Sequence, residues 1–356
     1  MKFKATPWAW KGLIMIYLNY LSKVRNKIGM TPEELQRELE YNKGRIVTKT
    51  LTNTKRIKVN NDVYKTLESL NTYVWAFSFK NPDISNMYHT FQIPKHSGGF
   101  REICAPDDEL KNVQGHIVDT FTKKLKFLPH NAAHGFTKKR NCKTSLEVHK
   151  RNGSRWFLKL DIQDFFPSTT TTMIVEGMKK VYPFCLIKDP IALANICTLN
   201  GTTPQGAPTS PMITNMVMVP KDVQISKYCK EHNLIYTRYA DDILISSKVS
   251  FDWQQVQNDV QNMLGEYNLK KEKTRYGSFN GRNWNLGLMY NNKYEITVGH
   301  KKKQLVKNMI HNYMTKEEQH TYENWYKLIG IVGYCNYIEP QYFNKYLETL
   351  KTAKPA

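Results

Sequence analysis

Two adjacent carboxylates, Asp241 and Asp242, lie in the middle of the stretch from Asn233 to Lys248, NLIYTRYADDILISSK. The flanks, Leu234 to Tyr239 and Ile243 to Ser247, are rich in β-branched and aromatic residues and predict two short strands joined by a tight polar corner. Side chains alternate along a strand, so neighbouring aspartates would ordinarily face opposite ways. At a hairpin tip both can approach one site, and their repulsion is then severe unless a cation is present. Such a corner suits a hard divalent cation. The plain alternative is a solvated Asp-Asp turn. Upstream, Trp156 to Ser168 reads WFLKLDIQDFFPS, a buried-type strand over Trp156 to Ile162 that carries Asp161 near its end. A carboxylate closing an apolar run is expensive unless it is paired or metal-bound. One strand with a terminal aspartate and one hairpin with two more are the parts of a two-metal nucleotidyl-transfer site.

Both segments, in this order, resemble the palm motifs of reverse transcriptases. The hairpin resembles the family's YADD box, and the upstream strand resembles the box holding the first metal aspartate. Other stretches extend the likeness. The alternation of Phe91 to Pro94, the turn Ser97-Gly98-Gly99 and the run Arg101 to Cys104 predict a β-hairpin presenting Lys95 and Arg101. Two fixed cations suit a triphosphate; an ordinary basic surface hairpin is the alternative. The segment is similar to the first block of the family, in which a helix follows, here from Leu110-Lys111 to Gln114. Ala133-His134-Gly135-Phe136 with Lys138, Lys139 and Arg140 resembles the second block, where the template strand is held. Basic side chains beside Phe136 fit backbone contact plus stacking.

Gly201 to Asn215, GTTPQGAPTSPMITN, is similar to the block that turns into a helix, with Gln205 placed to contact the incoming nucleotide. Two helices are expected between Thr169 and Leu199, the second opened by Asp189-Pro190. Pro220, near the middle of the helix after Asn215, predicts a kink or a break. Phe251 to Tyr267 reads as an amphipathic helix. Leu269 to Thr274 resembles a Leu-Asn-x-x-Lys-Thr block with Lys270 in place of the asparagine. Lys273 is its family lysine, a candidate to protonate or neutralise the pyrophosphate leaving group. Asn285 to Asn291 is similar to the primer-grip strand, and the tail from Lys301 resembles the helical thumb of bacterial members, basic at Lys301, Lys302 and Lys303.

The resemblance implies an α+β, right-hand polymerase fold: a helical N-terminal extension over 1–80, fingers over 81–155, palm over 156–290 with finger/palm helices at 170–200, and a helical thumb over 291–356. It implies RNA-directed DNA synthesis by a two-metal mechanism. Two Mg²⁺, with Mn²⁺ as a substitute, would be held by Asp161, Ile162, Asp241 and Asp242, the three aspartates being the catalytic set. Phe166, five residues after Asp161, would sit under the sugar and exclude a 2′-hydroxyl; core filling is its alternative. A non-enzymatic RNA-binding module with a relic palm is the reading from a different class.

Composition agrees with a polyanionic partner. The 356 residues carry 52 Lys plus Arg against 31 Asp plus Glu, a net charge of +21, which disfavours a compact chain unless nucleic acid offsets it. The six cysteines are scattered without a CxxC pair, which predicts reduced thiols and no zinc site. Leu13 to Leu18 is too short an apolar run to span a membrane and lacks a cleavage pattern, so a cytoplasmic protein is expected. Trp8 to Leu21 has helical periodicity, and Thr31-Pro32-Glu33-Glu34 has the form of a helix start.

With no maturase, HNH, RNase H, protease or integrase segment to place, the chain resembles bacterial defence reverse transcriptases, both retron and "unknown group" enzymes. Retron members carry Asn-Ala-x-x-His where this sequence has Ser145-Leu146-Glu147-Val148-His149. They carry Val-Thr-Gly where it has Asn285-Leu286-Gly287. These departures point first to the unknown-group enzymes and second to a divergent retron enzyme. The implied partners are a dedicated non-coding RNA as template or scaffold, the DNA product, dNTPs, and a second copy or an accessory effector protein, with no membrane.

Overall fold

The computed structural model describes residues 61–95, 98–181, 190–280 and 282–355. The helices expected at Trp8 to Leu21 and at Thr31 lie outside the described residues, as do Cys185 and two residues of the turn between Lys95 and Gly98. The described residues begin with helix α1 (Asn61–Lys80) and the hairpin β1 (Tyr88–Pro94) and β2 (Phe100–Pro106). Helix α2 (Asp108–Asp119) follows, its first turn closed by the Asp107 carboxylate accepting the Leu110 N–H at 2.8 Å. Helix α3 (Cys142–Arg151) starts with a reciprocal capping box between Asn141 and Thr144. Next come strand β3 (Trp156–Asp161), helices α4 (Thr171–Val181) and α5 (Pro190–Ile196), and the long helix α6 (Ser210–Glu231).

The expected acidic hairpin is β4 (Ile235–Tyr239) and β5 (Asp242–Ser247). Helix α7 (Trp253–Leu264), capped by Asp252, leads to β6 (Arg275–Ser278). The short pair β7 (Met289–Tyr290) and β8 (Ile296–Thr297) precedes three helices, α8 (His300–Thr315), α9 (Tyr322–Ile338) and α10 (Pro340–Thr352).

Strands β4-β5-β3-β6 form one antiparallel sheet, and its pleat divides the core in two. Leu158, Leu160, Ile243 and Ile245 point to a first core shared with α1, α2, α4, α5, α6 and α7. Phe157 and Leu244 point the other way, to a second core with Trp284, Tyr290 and the three C-terminal helices. Period-2 alternation along β3 therefore decides what each residue meets. Phe157, Lys159 and Asp161 share the second face, so the strand that anchors the last helices also carries the first aspartate.

Of the kink or break expected at Pro220, the break is absent. Helix α6 runs unbroken from Ser210 to Glu231 with Pro220 inside it. Proline removes one helical hydrogen bond and costs about 3 kcal/mol. Here every residue from Met212 to Val219 is buried, and that burial outweighs the lost bond. The described cysteines, Cys104, Cys142, Cys197, Cys229 and Cys335, are all free and buried. Among the described residues no helix is long and apolar enough to cross a membrane.

Candidate active site

Tyr239 pairs with Asp242, leaving Ala240 and Asp241 as a two-residue loop with Ala240 at φ 56°. A positive φ costs a non-glycine residue about 1–2 kcal/mol, and the surroundings hold it in place. The Arg238 guanidinium donates to the Ala240 carbonyl at 2.9 Å. Gly135 packs so closely against this turn that a Cβ there would fall 2.4 Å from the Ala240 nitrogen. Arg238 is fully buried and paired with equally buried Asp222 on α6 at 2.7 Å, while Asn215 accepts from Arg238 at 3.1 Å and donates to the Gly135 carbonyl at 3.1 Å. Tyr236 also donates to Asp222, at 2.6 Å. The acidic turn thus sits on a satisfied buried network that reaches both α6 and the loop before Phe136.

Asp161 lies directly across from Asp242 in the β3–β5 register, and the Ile162 N–H donates to the Asp241 carbonyl at 3.0 Å. These pairings bring the three aspartates to one end of the sheet. Burial, then the Asp242 and Asp161 carboxylates, push Asp241 up to about 6. Burial also raises Asp242, against the pull of Lys159. Two lysines offset the cluster: Lys159 donates to Asp242 Oδ2 at 2.9 Å and Lys273 to Asp161 Oδ2 at 2.9 Å. The hydrogen bond to Asp161 raises Lys273 in turn.

The donor set fits a divalent cation. Asp161 Oδ1 is buried with no hydrogen-bond partner, a costly state that a metal would relieve. Among the described residues, however, no three His, Cys, Asp or Glu side chains converge closely enough to hold a metal unaided. The Ile162 side chain is buried in the first core, so it would join such a site only through its backbone.

The other expected residues surround this point unequally. Phe166 is half-buried and tilts against Phe136 (ring centroids 5.9 Å apart) and against the core residue Phe165 (5.6 Å). Gln205 accepts the Cys104 N–H at 2.7 Å through its carbonyl, and a Cβ on Gly206 would lie 2.9 Å from the Cys104 carbonyl oxygen. The root of the β1–β2 hairpin is thereby clipped to the Gln205 loop, and Lys95 and Arg101 stand exposed towards its tip. Lys138 and Lys139 are exposed. Arg140 is not available in the same way. Its guanidinium donates to the carbonyls of His130, Asn131 and Ala133 at 2.7–3.2 Å and so ties its own loop. Lys301 and Lys302 are exposed on α8, whereas Lys303 is held by Glu339 at 2.6 Å and lies over the Tyr342 ring. Arg140 and Lys303 thus already hold partners within the fold.

Lys159, Arg238 and His149 were not singled out by the sequence patterns as parts of this site, although each carried a signal. Lys159 and Arg238 are charged residues inside strands that are otherwise apolar. His149 is fully buried, bonding Ser246 Oγ at 2.5 Å and Thr237 Oγ1 at 2.8 Å, which pins α3 to the back of β4 and β5.

The chain is similar to several known proteins. The family model "Reverse transcriptase (RNA-dependent DNA polymerase)" matches residues 93–305. The chain is 26% identical over 271 residues to the retron Ec83 reverse transcriptase of Escherichia coli, covering 72% of this chain and 85% of that one. It is 28% identical over 280 residues to the retron Ec73 reverse transcriptase of the same species, covering 72% and 84%. These relatives are retron enzymes, the second of the two subtypes weighed from the departures at Ser145 and Asn285. Among solved structures, apo telomerase from Candida Tropicalis truncated from its C-terminal domain is similar at a TM-score of 0.41 and 13% identity over 70% of this chain, which spans 63% of that structure. The family match covers more than half of the 356 residues and includes all three aspartates: the chain belongs to the reverse transcriptase family.

Proposed function

We propose that the protein is an active RNA-directed DNA polymerase that copies a dedicated non-coding RNA into DNA, in the setting of bacterial antiphage defence and in the cytoplasm. The observation that carries the activity is the cross-strand pairing of Asp161 with Asp242 beside the Asp241 turn, with one buried Asp161 oxygen left unpartnered. Clustered carboxylates are costly, and a site with no cation to bind has no use for them.

Asp161 and Asp241 would hold two Mg²⁺, or Mn²⁺ in their place, with Asp242 assisting and Ile162 contributing from its backbone. When bound, such ions activate the primer hydroxyl and stabilise the leaving pyrophosphate. The chain's own residues do the rest. Lys95 and Arg101 neutralise the triphosphate, Gln205 contacts the incoming nucleotide, and Phe166 sits under its sugar so that a 2′-hydroxyl has no room. Lys273, freed from Asp161, is placed to neutralise the leaving group. Lys138, Lys139, Lys301 and Lys302 hold nucleic-acid backbone. The division into fingers (81–155), palm (156–290) and thumb (291–356) serves this reading, with the two hydrophobic cores on opposite faces of one sheet.

A relic palm that only binds RNA is the rival reading, favoured by one observation: Lys159 and Lys273 already pair with two of the aspartates. Primer extension on a generic primed RNA separates the two, since a relic incorporates nothing. The dedicated template is tested by sequencing the nucleic acid that co-purifies, then competing it against an unrelated RNA of equal length at ~200 mM salt, where phosphate contacts are weakened. Preference for the co-purified RNA is expected, and equal competition would leave a generic polymerase.

A further inference from the structure

The two lysines of the acidic site differ in how they are held. Lys159 projects from the middle of β3, a strand bonded on both sides by β5 and β6. It sits directly across from Leu244 and is therefore diagonal to Asp242, a spacing that a long side chain can bridge. Both members of the Lys159–Asp242 pair are shielded, with side-chain exposures of 17% and 15%. Lys273 comes instead from the single turn Lys271–Lys273 outside the sheet, and its side chain is 53% exposed while its partner Asp161 is 9% exposed. An ion pair with one solvated member is weak and exchanges readily. A shielded pair resists being opened from one side, because that leaves an uncompensated charge.

Resting on the metal-dependent reading above, we infer that Lys159 is a positioning residue that keeps Asp242 as a permanent ion pair, so that Asp161 and Asp241 form the metal-binding pair and Lys273 is the cation that departs on metal loading. The convergence of the side chains agrees. Asp161 keeps one oxygen unpartnered and the other on a lysine that has solvent to return to. Asp242 is turned to Lys159. The Lys159–Asp242 pair then adds no net charge to the site. Its work is to fix the first residue of β5, and with it the turn that presents Asp241.

The inference predicts an unusual pattern in metal affinity. The probe is Mn²⁺, followed by the electron paramagnetic resonance of the free ion, with full-length, metal-stripped protein and no nucleic acid. Lys159→Met leaves Asp242 uncompensated beside the site, so Mn²⁺ should bind about tenfold tighter while primer extension falls. A merely structural lysine would weaken both. Removing the pair as a unit, in Lys159→Met/Asp242→Asn, restores the site's charge and should return the Mn²⁺ affinity to within about threefold of the parent. Lys159→Arg keeps both charge and partner and should match the parent also, which retains a folded comparison should Lys159→Met unfold. A double variant that binds Mn²⁺ tenfold or more weakly than the parent makes Asp242 a metal ligand and overturns the inference, as does a folded Lys159→Met that binds no tighter. Asp241→Asn separates this from the underlying reading: if that variant binds Mn²⁺ as the parent does, the metal assignment itself has failed.

Discussion

Protonation of His149 should cost the fold about 2 kcal/mol between neutral pH and about pH 5. The imidazole is fully buried between α3 and the β4–β5 hairpin, and burial, followed by the nearby His134, holds it from its ordinary 6.5 down to about 3. Its two ring nitrogens bond Ser246 and Thr237, and Ser145 and Ser154 extend the chain at 2.8 and 2.7 Å. All these partners are hydroxyls; among the described residues no carboxylate bonds the ring to welcome a positive charge. The folded pKa is depressed, so above 6.5 both states are neutral and the full stability is present. As pH falls below 6.5 the unfolded chain takes up the proton and the folded one does not until about 3. Each pH unit in that window then costs about 1.4 kcal/mol, hence about 2 kcal/mol over 1.5 units. The assay is urea denaturation in EDTA buffer near pH 7.5 and pH 5, for the parent and for His149→Gln. The substitution lowers stability at both pH values, but the acid-induced loss should be smaller in the variant by about 2 kcal/mol. Asp241 works in the opposite sense, because its pKa is raised and protonation relieves the folded state. That contribution is common to both proteins and cancels in the difference. An identical acid-induced loss in both would show that His149 is not the buried neutral group described here.

Arg238→Met leaves Asp222 charged and alone beneath the catalytic turn and should destabilise by about 3–5 kcal/mol, with part recovered in Arg238→Met/Asp222→Asn, as read by urea melts. Phe166→Ala should admit ribonucleotides while retaining metal-dependent synthesis, since the ring is half-buried against Phe136; unchanged dNTP over NTP selection in an active variant would return Phe166 to packing. Lys138→Ala/Lys139→Ala should reduce the slope of log affinity for single-stranded RNA against log salt by about 1–1.5. Arg140→Ala should instead lower thermal stability, because its guanidinium holds three carbonyls of its own loop.

Local pattern was enough to read the hairpin Ile235 to Ser247, the strand ending in Asp161 and the hairpin carrying Arg101, since alternation and turn chemistry act over a few residues. At Pro220 the break those rules allow is absent, because burial of the surrounding helix, a property of the whole chain, offsets a local penalty. Charge runs proved the least informative. Lys138 and Arg140 stand two apart in one basic run, yet one is exposed and the other spends its donors on carbonyls that only the folded loop brings near. Lys303 likewise meets Glu339, the residue between the two helices that follow. The partner of Lys159 could not be named before the β3–β5 register was known, because a shift of one residue would turn every side chain to the other face.

The central claim is that the Asp161, Asp241 and Asp242 cluster makes DNA on an RNA template. It is tested most directly by single-nucleotide incorporation on four primed RNAs that differ only at the templating base. With Mg²⁺, the parent protein should add the one complementary dNTP to each primer, and Asp241→Asn, folded to the same melting temperature or above, should add none. Addition that ignores the templating base, or that persists in Asp241→Asn at the parent's rate, would contradict the account.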